Sequence, residues 1–85
     1  MKHLARPVFW HHYRRLPDDV RRLADKNFEL LKDNPRHPSL RFKKLKDRLW
    51  SARVGLHYRA IAVECGEDFV WTWIGHHSEY DQIMG

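Results

Sequence analysis

One cysteine, four glycines and four prolines in 85 residues, and no lysine or arginine after residue 59, mark this chain by what is scarce. Cys65 has no partner for an internal disulfide, and neither a CxxC pair nor a Cys/His finger spacing occurs, which excludes a disulfide scaffold and a zinc finger. A lone cysteine at the end of a strand reads as structural rather than catalytic. No Gly-rich phosphate loop and no GxSxG elbow are present. The seven histidines include two adjacent pairs, His11-His12 and His76-His77, but sequence neighbours seldom converge on one ion and no HExxH or HxH occurs. No metal site and no cofactor are therefore expected. No apolar run approaches the roughly 18 residues of a membrane span, and MKHLARPVFW lacks the apolar core of a signal peptide. A soluble cytoplasmic protein with no membrane partner is expected.

What is present is aromatic and unevenly charged. Eighty-five residues predict a single domain, 1–85, at the small end of what folds without staples; four Trp, four Phe and three Tyr supply its packing. The net charge of +5 conceals three zones. Residues 1–35 carry eight Lys/Arg and five Asp/Glu, residues 36–59 eight and one, and residues 60–85 none and five. So basic a middle segment suggests a polyanionic partner, nucleic acid or an acidic protein.

Pro7 suits a first helical position, and Phe9, Tyr13 and Leu16 follow at helical spacing, predicting a short helix. Pro17 opens a second helix, from about 17 to 32, on the stripe Val20, Leu23, Ala24, Phe28, Leu30 and Leu31; Asp18 and Asp19 favour its start and Asp33-Asn34-Pro35 ends it. NPRHPSLRFKKLKD reads as a loop entering a short edge strand. From Trp50 the residues turn to β-formers, WSARV, HYRAIAVE and DFVWTWI, broken at Gly55-Leu56 and at Cys65-Gly66-Glu67-Asp68. Two helices followed by an antiparallel meander make an α+β fold.

A turn centred on Leu56 would oppose Val54 to Tyr58, Arg53 to Arg59, Ala52 to Ala60 and Trp50 to Ala62. Opposed residues share a face, so Arg53 and Arg59 lie side by side away from the apolar set. Paired guanidinium groups invite an anion, which makes them a candidate phosphate site, unless Glu64, Glu79 or Asp81 pairs with them. The alternation in FVWTWI places Trp71 and Trp73 on one face, expected under the helices.

The order of basic segment, WSARV, HYRAI, aromatic strand and GHHSEY resembles the RelE/ParE superfamily of toxins from bacterial type II toxin-antitoxin systems, from FWHHYRRLP through NPRHPSLRFKKLKD to GHHSEYDQI. The resemblance implies two N-terminal helices on one side of a small twisted antiparallel sheet of three to four strands, with a short C-terminal helical turn and the active surface on the other side. Many members begin with a β-strand, which here is expected to be short or missing. The implied activity is that of a metal-independent, ribosome-dependent mRNA endonuclease that inhibits translation, with a cognate antitoxin, the ribosome and mRNA as partners. A ParE-like inhibitor of DNA gyrase, without nuclease activity, is the alternative.

Cleavage by attack of a 2′-hydroxyl needs a base, an acid and cationic stabilisation of the phosphorane-like state. The resemblance puts Arg59 on the scissile phosphate, with Arg53 assisting, and His77 as acid or base, a role suited to an imidazole. Tyr80, three residues on, would stack on a base or orient the attacking group. Lys43, Lys44 and Lys46, with His76, would bind RNA. Relatives place a carboxylate or lysines in that segment; here no acidic residue stands among the lysines, and a separate general base is left open among His76, His57 and Glu79.

Overall fold

The computed structural model describes residues 2–84. A strand β1 (His3–Ala5) leads into helices α1 (Pro7–Arg14) and α2 (Asp18–Asp33), then a 3₁₀ turn (Pro38–Leu40), strands β2 (Lys43–Lys46), β3 (Leu49–Val54), β4 (Tyr58–Cys65) and β5 (Asp68–His76), and helix α3 (His77–Met84). The α+β class holds. The sheet, however, has five strands in the order β1-β5-β4-β3-β2, and β1 runs parallel to β5 where only antiparallel pairing was expected. A three-residue strand abutting Pro7 carries too little alternation to be seen in sequence. It is held by backbone bonds from Phe69 N–H to the Lys2 carbonyl (2.9 Å) and from Arg6 N–H to the Trp71 carbonyl (3.0 Å).

Pro7 starts α1 without a side-chain cap; α2 also lacks one, and Asp18 and Asp19 in its first turn meet the positive end of the dipole instead. Tyr13 of α1 donates to Asp25 Oδ1 of α2 at 2.6 Å. Leu16, Leu31 and Leu40 close over Ala52, Val54, Ala60, Ala62, Phe69, Trp71 and Ile74 of the sheet, and this is the core. Small alanines opposite Trp50 and Ile74 let the large side chains interdigitate. Trp50 also donates its indole N–H to Glu64 Oε1 at 2.7 Å.

The β3–β4 register is the one read from sequence, Val54 on Tyr58, Arg53 on Arg59, Ala52 on Ala60 and Trp50 on Ala62. In the β4–β5 hairpin Gly66, with φ 62°, takes the first of two turn positions, where a type II′ turn requires positive φ. Cys65 closes that hairpin opposite Asp68, where it is exposed.

The second departure lies in β5. The register slips between Ile61 and Ala62: Ala62 opposes Trp71, but Ile61 opposes Trp73, leaving Thr72 as an extra residue. Trp71 stays on the helix side, the alternation inverts, and Ile74 rather than Trp73 returns to the core. Trp73 therefore lies off the core face, though it is buried with its ring 6.2 Å from that of His12 of α1. Its six-membered ring lies over Gly75, where an added Cβ would come within 2.5 Å of Cζ2. Gly75 opposes Arg59, so this tryptophan belongs to the arginine face.

Candidate functional site

Arg53 and Arg59 occupy opposed positions on neighbouring strands, facing away from the helices because Ala52 and Ala60 face them. Both are half-buried, and among the described residues neither has a carboxylate within ion-pair distance. Arg59 is tied back: its Nη1 donates to the Tyr58 carbonyl at 2.8 Å and the Leu56 carbonyl at 3.4 Å. Burial pushes its guanidinium below the usual arginine range, Arg53 adds to the push, and the nearby Tyr80 and Asp81 of α3 act against it, with Arg41 a small further positive neighbour. Glu64, a potential partner from sequence, is used elsewhere, accepting from Trp50 and lying 3.8 Å from Lys44 Nζ.

The end of β5 brings the titratable groups in. His76 is its last residue, opposite Tyr58, and His77 opens α3, with His77 N–H donating to the His57 carbonyl at 2.7 Å. His76 and His77 rings are 4.5 Å apart by centroid, and His57 stands about equally far from both, at 6.2 and 6.1 Å. His76 Nδ1 lies 2.9 Å from Ser78 Oγ, and His77 Nδ1 lies 3.7 Å from Asp81 Oδ2. Tyr80, one helical turn from His77, is half-buried beside Arg59. Arg53, Arg59, His77 and Tyr80 thus gather at one end of β3, β4 and β5, while His76, opposite Tyr58, borders them from the face of the sheet that carries Val54.

The lysines divide. Lys43 opposes Ser51 and Lys46 opposes Leu49, positions that alternate with the core-facing Ala52 and so share the face of Arg53. Lys44 opposes Trp50 and turns to the helix side, towards Glu64. Lys44 is therefore not brought to the arginines.

A family model described as a ParE-like toxin domain matches residues 18–82. The chain belongs to the ParE-like toxin family. Comparison with curated protein sequences gives no significant match. Among solved structures, the toxin domain is similar to the RelB-RelE antitoxin-toxin complex from Methanococcus jannaschii, with a TM-score of 0.76 at 18% identity over 96% of this chain and 99% of that one. The RelBE2 toxin-antitoxin complex from Mycobacterium tuberculosis matches with a TM-score of 0.70 at 20% identity over 88% and 95%. YafQ from E. coli strain BL21(DE3) matches with a TM-score of 0.69 at 14% identity over 92% and 94%. At such identities the likeness is one of fold, and the fold is RelE-like.

Arg41 and Trp73 were not read from the sequence as part of this candidate site, while Asp81 and His57, named there only as a possible arginine partner and a possible general base, enter it through other contacts. Arg41 sits at φ 43° after the 3₁₀ turn, a left-handed position that local spacing does not reveal. Trp73 arrives through the bulge, and Asp81 one helical turn beyond His77. His57 meets His76 and His77 only because Thr72 slips the register; without it Gly75, not His76, would oppose Tyr58. The histidine spacing argument, confined to sequence neighbours, could not see this third ring.

Proposed function

We propose that the chain is the toxin of a toxin-antitoxin pair that cleaves messenger RNA on the ribosome, in the cytoplasm, as one domain over residues 1–85. The observation that carries this reading is the unpaired Arg53–Arg59 couple beside His77 and Tyr80. In the proposed reaction the 2′-hydroxyl attacks the adjacent phosphorus, a base takes its proton, and the P–O5′ bond breaks as an acid protonates the leaving oxygen. The products are a 2′,3′-cyclic phosphate and a 5′-hydroxyl. Arg59, anchored by two carbonyls, holds a phosphate oxygen, and Arg53 shares the charge that accumulates in the phosphorane-like state. His77 exchanges a proton with the 2′ or 5′ oxygen. Tyr80 stacks on or orients the nucleotide, and Lys43, Lys46 and His76 bind flanking RNA, with Lys44 a lesser contributor.

A site with this little machinery gains from a substrate held in register by ribosomal RNA. The partner that restrains it is a cognate antitoxin, in line with the complexes among its structural relatives. The test is message incubated with purified protein, free and on programmed ribosomes. Cleavage on the ribosome with cyclic-phosphate ends supports the reading. Intact message together with blocked gyrase supercoiling overturns it.

A further inference from the structure

His57, His76 and His77 each offer a ring nitrogen, and these three atoms all lie within 4.8 Å of one another. We propose that they form a binding site for one divalent late transition metal ion, Zn²⁺ or Cu²⁺, with water completing the coordination. A tetrahedral Zn²⁺ bound to imidazoles at about 2.0–2.1 Å sets its nitrogens roughly 3.3 Å apart, so side-chain rotations of about an ångström close the site. The three rings are half-buried or exposed, and such rotations meet little resistance.

The backbone under the cluster is already fixed. His77 N–H donates to the His57 carbonyl, and His76 is laddered to Tyr58, the residue after His57. The three Cα positions therefore do not have to be assembled by the ion, and binding costs only side-chain ordering. At His77 the surroundings fit ligation through Nε2: Asp81 Oδ2 lies 3.7 Å from Nδ1, where an acceptor for an Nδ1–H orients a metal-bound imidazole and raises its basicity. His76 Nδ1 accepts from the Ser78 N–H at 3.2 Å and lies 2.9 Å from Ser78 Oγ, so ligation through its Nε2 requires a tautomer change that gives up the Ser78 N–H bond.

Charge and ligand type select the ion. Three neutral imidazoles and one nearby carboxylate suit Zn²⁺, Cu²⁺ and Ni²⁺ and disfavour Mg²⁺ and Ca²⁺, which want several oxygens. Arg59 opposes a cation, but its guanidinium is turned onto the Leu56 and Tyr58 carbonyls. An ion here would occupy the His77 lone pair and withdraw it from proton exchange. That consequence rests on the nuclease reading; the binding itself does not.

The experiment uses tag-free full-length protein titrated with Zn²⁺ by calorimetry and with Co²⁺ by visible absorption. The expected result is one ion per chain with a tetrahedral Co²⁺ spectrum. His57→Gln, in an exposed turn and checked for folding by circular dichroism, should weaken binding about tenfold or more, and Asp81→Asn by a smaller factor. The double variant His11→Gln/His12→Gln should bind as the parent does. Absence of binding near stoichiometric concentrations, an unchanged affinity in His57→Gln, or half an ion per chain with dimer formation would each overturn the proposal.

Discussion

Arg53 and Arg59 stand directly opposite each other on β3 and β4, and the acid that might have separated them, Glu64, instead accepts from Trp50. Like charges directly opposed across a ladder are destabilising. Such a cost is tolerable where an anion is the intended partner. Arg53→Ala should therefore leave the free protein as stable as the parent or slightly more so, while abolishing toxicity. Denaturant unfolding alongside a growth assay checks this; a variant that is both less stable and still toxic would contradict it.

The same pair predicts stabilisation by anions. Ligand that binds only the folded state raises the unfolding midpoint by mass action. Inorganic phosphate or a short RNA analogue lacking the 2′-hydroxyl should raise the melting temperature of the parent by a few degrees. Arg59→Ala should lose the rise. An equal rise in the variant would place the anion elsewhere.

The lysines should separate by face. Lys43→Ala and Lys46→Ala are expected to weaken RNA binding and to reduce the salt slope by about 0.7 each, the value for one phosphate contact on a single strand. Lys44→Ala should leave the slope nearly unchanged, because Lys44 is turned to Glu64. Filter binding across a salt series measures all three. Equal effects would mean the face assignment has no bearing on RNA.

Gly75 is the position where any side chain must displace Trp73, whose Cζ2 lies 2.5 Å from where a Cβ would stand. Gly75→Ala should cost about 1–3 kcal/mol, the usual penalty for overpacking, and shift the tryptophan emission. Stability within experimental error of the parent would show that the ring moves freely.

His3 links pH to stability. Trp71 Nε1–H donates to His3 Nδ1 at 3.1 Å, which needs the neutral ring and places its proton on Nε2, buried without a partner. Burial above all, with the Lys32 charge adding, lowers the His3 pKa below the ordinary 6.5. The unfolded chain then binds a proton more readily than the folded one, so this contribution is fully present above about pH 6.5 and is lost as pH falls through the folded value. His3→Gln should flatten the fall in melting temperature below pH 6.5 relative to the parent. Parallel curves would contradict the assignment.

Much of this arrangement was legible before any coordinates. Of the α2 stripe, Val20, Ala24, Leu30 and Leu31 meet the core while Leu23 and Phe28 stay exposed; the alternation of β3 and β4 is a periodic signal, and opposing Arg53 to Arg59 follows from the turn at Gly55-Leu56. The candidate residues Arg59, His77 and Tyr80 follow from the order of short motifs, and the fold sets Tyr80, one helical turn from His77, near Arg59. What could not be read depends on long-range pairing. β1 exists only as the parallel neighbour of β5, and three residues set no period. Thr72 breaks the alternation of FVWTWI without a glycine or proline to announce it, and with it go the face of Trp73 and the meeting of His57 with His76 and His77.

The central claim is that this toxin domain cuts message at the Arg59 site. The direct measurement is transcriptome-wide mapping of mRNA 5′ ends after brief induction of the parent and of Arg59→Ala, both confirmed to be folded and expressed. The expected result is new 5′-hydroxyl ends phased to codons within translated frames for the parent, and none for the variant. Uncut message in growth-arrested cells carrying the parent, or the same cuts with Arg59→Ala, would contradict it.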